Sequence, residues 1–350
     1  MKRRFCLIPV LALALTLGLS GCAGSTDGLY TKGAKALEEG EYQEAIDYFE
    51  EGIDSGSRLA ENYRGIGIAS YESGDYDTAV DMLNKSLEAL EEENDDFIID
   101  LYYYLGDAYM AKGEIVRAGE AYTSLLDYTH SARAYEKRGI VYMEKGDTDR
   151  GIKDFEKSLE LDDSYAATWE IYSLCKNYGQ ESKGEAYIQS ALSKESSDKT
   201  EPEDYYYRGL FNYTLGYYDQ AKEELLTAAD EDLSEAELLL GKVYLAMDDT
   251  ASATSLYEDY LSKDENAYEA YNGLALCCMA AENYDGALSY IEQGLSCETD
   301  EDMQDLLYNR IVAYEYKLEF DQAKSYMEEY LEAYPDDEDA LREYQFLKSR

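Results

Sequence analysis

Acid–base and nucleophilic catalysis near neutral pH usually turns on histidine, and this chain has one, His130, in a Thr-His-Ser turn. A lone histidine in a polar turn reads as an exposed loop residue. The thiols beyond residue 22 are Cys175, Cys277, Cys278 and Cys297, and none has the CxxC spacing of a zinc site. In an oxidising compartment Cys297 has the option of bonding to Cys277 or to Cys278. The acidic clusters Asp95-Asp96 and Asp336-Asp337-Glu338-Asp339 lack the alternating ligands and central glycine of a calcium loop. No glycine-rich phosphate loop or nucleophile elbow occurs either. These residues predict neither an enzyme nor a cofactor.

Charge narrows the partners. Asp and Glu outnumber Lys and Arg 76 to 31, a formal net charge of −45, which repels nucleic acid and attracts cationic partners. Disorder is excluded by composition, because 45% of the residues are hydrophobic and 38 are tyrosine. With three prolines and no alternating β-branched runs, the chain is expected to be all-α.

One thiol has a chemistry set by its neighbours. Lys2-Arg3-Arg4 precedes the apolar run FCLIPVLALALTLGL, too short for a stable membrane span, which needs roughly 20 apolar residues. The run closes on Leu19-Ser20-Gly21-Cys22, which resembles the lipobox of bacterial lipoproteins. The resemblance implies that residues 1–21 are a signal peptide and that Cys22 carries diacylglycerol. Residues 22–25 would then be a short lipidated tether, and the rest of the chain would lie at the extracytoplasmic face of a membrane. That is the outer leaflet in a Gram-positive cell, or the periplasmic side or the outer membrane in a Gram-negative one. Each buried acyl methylene adds ~0.8 kcal/mol to such an anchor. Removing Lys2, Arg3 and Arg4 leaves 28 basic against 76 acidic residues, a formal −48.

The elements that must position any binding residue are written as a repeat. GEYQEAIDYF at 40–49, GDYDTAVDML at 74–83, GEIVRAGEAY at 113–122, GDTDRGIKDF at 146–155 and GYYDQAKEEL at 216–225 are variants of one phrase. Weaker copies surround Ala253, Ala287 and Ala323. The glycines at 40, 74, 113, 146, 179 and 216 are 34, 39, 33, 33 and 37 residues apart. Seven residues before the turn glycine stands another, at 33, 67, 106, 139 and 209, and five after it comes alanine at 45, 79, 118 and 221. Small residues of this kind mark where two helices cross closely, with Phe49, Tyr122, Phe155 and Tyr257 filling the adjoining space.

This period and pattern resemble the tetratricopeptide repeat. The resemblance implies an all-α fold, a right-handed α-solenoid of about nine helix-turn-helix repeats starting near residues 26, 60, 99, 132, 166, 202, 234, 268 and 304. Cys175 and Cys278 occupy first-helix core positions in this register and are expected to be buried. Residues 26–192 hold repeats one to five and 204–337 repeats six to nine, with a joint at 193–203, where the polar run SKESSDKTEPE falls. A capping helix is expected at 338–350.

The resemblance further implies that first helices line a concave groove, through positions 2, 5, 9, 12 and 13 of each repeat. Those positions map onto Tyr30, Arg64, Tyr71, Tyr103, Asp107, Met110, Arg133 and Met143. Further along they give Tyr206, Tyr213, Leu238, Lys242, Asn272, Met279 and Tyr308. About half of these are expected to pack against the neighbouring repeat. The function implied is a non-catalytic, lipid-anchored scaffold for a protein or extended peptide, basic or aromatic in character, in envelope or secretion-system assembly. The membrane would be engaged only through the lipid on Cys22, and nucleic acid not at all. The alternative is glycan or cell-wall binding by the tyrosine-rich groove.

Overall fold

A computed structural model describes residues 25–91, 94–194, 201–231, 233–299 and 302–350. The signal-peptide and Cys22 expectations lie outside the described residues, among which no helix is long and apolar enough to cross a membrane. The described residues form nineteen helices and no strand. They divide into two compact units at Tyr187 and Ile188.

In the first unit the helices are α1 (Ser25–Glu38), α2 (Tyr42–Asp54), α3 (Leu59–Glu72), α4 (Tyr76–Glu88), α5 (Asp95–Ala111), α6 (Ile115–Tyr128), α7 (Ala132–Glu144), α8 (Thr148–Leu161) and α9 (Tyr165–Asn177). Helix α10 (Glu181–Leu192) contains the division. The second unit continues with α11 (Pro202–Thr214), α12 (Tyr218–Asp230), α13 (Ser234–Ala246), α14 (Thr250–Lys263), α15 (Tyr268–Ala280), α16 (Tyr284–Leu295), α17 (Gln304–Tyr316), α18 (Phe320–Ala333) and α19 (Glu338–Leu347). The two units thus divide upstream of the expected joint, in a helix, and residues 195–200 of that joint lie outside the described residues.

Three devices recur among the hairpins. In four of them the second helix starts behind a residue whose side chain accepts a first-turn N–H, Asp75, Asp147, Asp249 and Asn283, satisfying an otherwise orphaned donor. The turn of each hairpin needs one left-handed residue, supplied by glycine at 40, 74, 113, 146, 179 and 216. The last three turns put Asp248, Glu282 and Leu318 there instead, with φ of 61°, 58° and 62°, which is why those copies read as weak. The third device is close helix crossing. The ring of Tyr122 lies against Gly106, Phe155 against Gly139, and Tyr257 between Gly241 and Gly273.

Within each unit, consecutive odd-numbered helices touch one another: α1 with α3, α3 with α5, α11 with α13, α13 with α15 and α15 with α17. Even-numbered helices pack on their sequence neighbours. A stack whose first helices approach more closely than its second helices curves toward the first, so the odd-numbered helices form the inner face of each unit.

Candidate functional site

On the inner face of the first unit, α3, α5 and α7 carry an interlocked set of charges and rings. Arg64 Nε donates to Asp100 Oδ2 at 2.5 Å across the α3–α5 contact. Asp107 is 6% exposed and accepts from Tyr122 Oη at 2.6 Å and Lys137 Nζ at 2.9 Å, tying α5, α6 and α7 together. Tyr103 shares a 2.8 Å hydrogen bond with Ser131 at the start of α7, and the Arg133 guanidinium stands 4.7 Å from its ring centre. Burial raises the Tyr103 hydroxyl above its ordinary range, so the ring keeps its proton.

Four residues expected on this surface are in the core. Tyr30 packs on Phe49, Tyr71 meets Tyr104 edge-on, Asp107 forms the tie just described, and Met143 lies beneath Gly151. Each is turned toward a neighbouring helix by the close approach of the inner row, so its repeat position reports packing rather than access. Arg64, Tyr103, Met110 and Arg133 are half-buried and do reach the inner surface.

Glu136 and Glu170 were missed, although they occupy the same fifth position of their repeats as Arg64 and Tyr103. Burial first, and then the Glu170 charge, push the Glu136 carboxyl up to about 7. The register alone would have found both.

In the second unit Tyr206, Tyr213, Leu238, Asn272, Met279 and Tyr308 are half-buried and Lys242 is exposed. Tyr206 meets Tyr207 edge-on, at 72°. Asn309 Nδ2 donates to Asn272 Oδ1 at 2.7 Å, joining α15 to α17. Beside them α17, α18 and α19 enclose a cleft of about 590 Å³ lined by Gln304, Asp305, Tyr308, Asn309, Tyr330, Asp337, Asp339, Arg342 and Glu343. Tyr330 Oη donates to Asp337 Oδ2 at 2.6 Å and accepts from Gln304 Nε2 at 2.6 Å. Asp337 Oδ1 also accepts the first N–H groups of α19 at 3.0 Å, so one carboxylate fixes both the cleft wall and the capping helix.

Among the described residues the thiols form no cluster. Cys175, Cys277, Cys278 and Cys297 are free, so the bridge considered for Cys297 is not formed. Cys175 is fully buried, which pushes its thiol up to about 11. In the pair at 277 and 278 the inward residue is Cys277, at 3% exposure, rather than Cys278 as expected. His130 is exposed and stacks on Tyr135.

Four family models, each described as tetratricopeptide repeat, match residues 30–96, 132–165, 244–309 and 305–337. The chain carries tetratricopeptide repeats. A tetratricopeptide repeat protein from Parabacteroides merdae has the same fold, with a TM-score of 0.52 and 17% identity over 84% of this chain and 100% of that one. Yeast Tom70 matches with a TM-score of 0.45 and 15% identity over 88% of this chain and 84% of its own. The Thermus thermophilus tetratricopeptide repeat protein TTC0263 gives 0.46 and 17%, over 53% of this chain and 100% of its own. None of the curated proteins matches the chain in sequence. Tetratricopeptide-repeat proteins are generally non-catalytic scaffolds for protein interaction.

Proposed function

We propose that the chain is a non-catalytic scaffold, anchored by lipid on Cys22 at the outer side of a bacterial membrane, that holds an extended protein or peptide segment against its inner faces. Envelope or secretion-system assembly is the setting that fits such an anchored scaffold. The observation that carries the reading is the set of half-exposed side chains on inner helices, Tyr103, Met110 and Arg133 in the first unit and Tyr206, Tyr213 and Tyr308 in the second. Rings of this kind give contact area at small entropic cost, with a polar tip for orientation. A net charge of −45 favours a partner with basic character.

The runs Tyr102-Tyr103-Tyr104 and Tyr205-Tyr206-Tyr207 supply no flat sugar platform, since consecutive helical residues face different ways. Tyr102 stacks on Tyr128 of α6, Tyr103 reaches Ser131, and Tyr104 meets Tyr71 of α3. The protein-binding reading is therefore preferred over glycan binding.

Two experiments on cells test the proposal. A photo-crosslinking residue at Tyr103 or Tyr206 should capture one discrete protein, whereas the same residue at Glu120, exposed on outer helix α6, should not; equal capture from both faces rejects the groove. Wild-type protein should take up labelled fatty acid, and Cys22→Ala should lose the label and leave the membrane fraction. Retention of Cys22→Ala in the membrane, with no label on the wild type, rejects the anchor.

A further inference from the structure

Helix α19 packs on α18 through Ala340 and Leu347, and the face opposite them is exposed. Flanking that face stand Leu341 and Phe346, large apolar side chains each 39% exposed. A single exposed apolar residue is ordinary on a protein surface, but here two share a helix of ten residues. Phe346 is held in place: it meets the Phe320 ring of α18 edge-on at 6.3 Å, and the Arg350 guanidinium stands 4.7 Å from its ring centre. Tyr344 Oη donates to Glu328 Oε1 at 2.7 Å, which pins the same turn of α19 to α18. The face is therefore presented by a fixed helix.

The order of residues along α19 has a symmetry of its own. The buried Ala340 and Leu347 are equidistant from a midpoint between Glu343 and Tyr344, and so are the exposed Leu341 and Phe346, and Arg342 and Gln345. The same midpoint relates Asp339 to Lys348. When two such helices lie antiparallel about a two-fold axis, each residue meets its counterpart in the other copy. Leu341 then meets Phe346, Arg342 meets Gln345 and Asp339 meets Lys348, which joins apolar groups, a charge and a neutral amide, and opposite charges. A parallel arrangement would set Asp339 on Asp339 and Lys348 on Lys348, which repel. Both members of the charged pair are free to make the contact. Among the described residues Lys348 has no ion pair, its ammonium standing 3.8 Å from the Tyr344 ring centre. Asp339 is exposed and paired only with Arg342 of its own helix, which leaves it room to accept a further donor.

We infer that the exposed face of α19 is a contact surface for a second copy of this chain, the two helices lying antiparallel with Leu341 on Phe346 and Asp339 on Lys348. Charge complementarity selects this occupant. The face is acidic at its start, with Glu338 and Asp339, and basic at its end, with Lys348 and Arg350, a polarity that an antiparallel copy matches and that a uniformly basic segment or an anionic surface does not. Two helices of this length bury less than the ~1,200 Å² of a standard interface, so the dimer is a weak one. The net charge of each copy opposes it little, because charges more than about 8 Å from the seam are screened at physiological salt. The inference is independent of the scaffold reading. Its consequence for a scaffold is that two copies offer their inner faces to one partner together.

A cysteine beside the two-fold axis tests this directly, because there it meets itself. Gln345 is exposed and lies beside that axis. Cells carrying the full chain with Gln345→Cys, treated with a short membrane-permeant bismaleimide, should yield a crosslinked species of twice the chain's mass. The unsubstituted chain sets the background, its Cys175 and Cys277 being buried and its Cys278 and Cys297 half-buried. Glu120→Cys, exposed on α6, should stay at that background. Added to Gln345→Cys, either Asp339→Lys or Lys348→Asp should lower the crosslinked fraction about fivefold, since symmetry counts each altered contact twice. The two together should restore it to within about twofold, because the pair is then reversed and not broken. Leu341→Asn should lower it as well. Thermal melts check that the variants are folded, and Lys348→Asp and Leu341→Asn decide if Asp339→Lys, which puts a cation in the first turn of α19, is not. A crosslink at Gln345→Cys to some other protein, or none above background, overturns the inference, as does equal self-crosslinking of Glu120→Cys. A double charge variant no better than the single ones overturns the antiparallel register, and unchanged crosslinking in Lys348→Asp and Leu341→Asn overturns the surface.

Discussion

A glycine in a helix interior is a cost unless something occupies the space it leaves. At Gly241 and at Gly273 an added Cβ would stand 2.3 Å from the Tyr257 ring, which both residues flank. Gly241→Ala should therefore destabilise the second unit by about 1–3 kcal/mol despite the better helix propensity of alanine, read as a lower urea midpoint. Leu318 is the converse case, a bulky residue in the left-handed turn at φ 62° and 72% exposed. Leu318→Gly should stabilise the second unit by about 1 kcal/mol, read as a higher urea midpoint, because the steric cost of that conformation disappears and no packing is lost. Charge at single residues has a sign as well. Glu136 is pushed from an ordinary 4.5 up to about 7, so the folded chain keeps a proton that the unfolded chain has released. Its effect is a stability that falls as pH rises from about 4.5 to about 7 and then levels. Glu136→Gln should flatten that fall in urea titrations at pH 5 and 7.5. The capping carboxyls of Asp75, Asp147 and Asp249 are lowered by the hydrogen bonds they accept, so their contribution is lost only as pH falls below about 4.

At the scale of elements, what a short window of sequence encodes was legible. The turn glycines and the crossing glycines with their partner rings recur within the hairpins, and together they mark the helix pairs. What was not legible depends on the next hairpin. Tyr30, Tyr71, Asp107 and Met143 hold groove positions in the register yet are buried by neighbouring helices. The cleft needs Asp337 and Glu343, which belong to the cap and not to the repeat. The cap itself was visible as an amphipathic stretch, and α19 buries Ala340 and Leu347 against Met327 and Tyr330 of α18. Because each hairpin contacts chiefly its neighbours, loss of an end element is felt locally. A chain ending at Asp336 should lose amide hydrogen-exchange protection first in α17 and α18, while α1 to α8 keep theirs. Uniform loss across both units would mean that the array unfolds as one cooperative body.

For the whole molecule the dominant quantity is charge, and it pulls stability and binding in opposite directions. A net −45 places like charges on every helix, and their mutual repulsion opposes the compact state. The same field gathers cations, and a basic segment approaching an inner face is drawn by all of it. Raising salt from 0.05 to 0.5 M shortens the screening length from ~14 Å to ~4 Å, less than the spacing between adjacent helices. The free protein should therefore become more stable with salt, its urea midpoint rising, while its affinity for a basic partner falls. Binding of a short lysine peptide, measured across this range, should accordingly fall steeply. An affinity that does not fall at all would mean that net charge has no part in recruiting the partner.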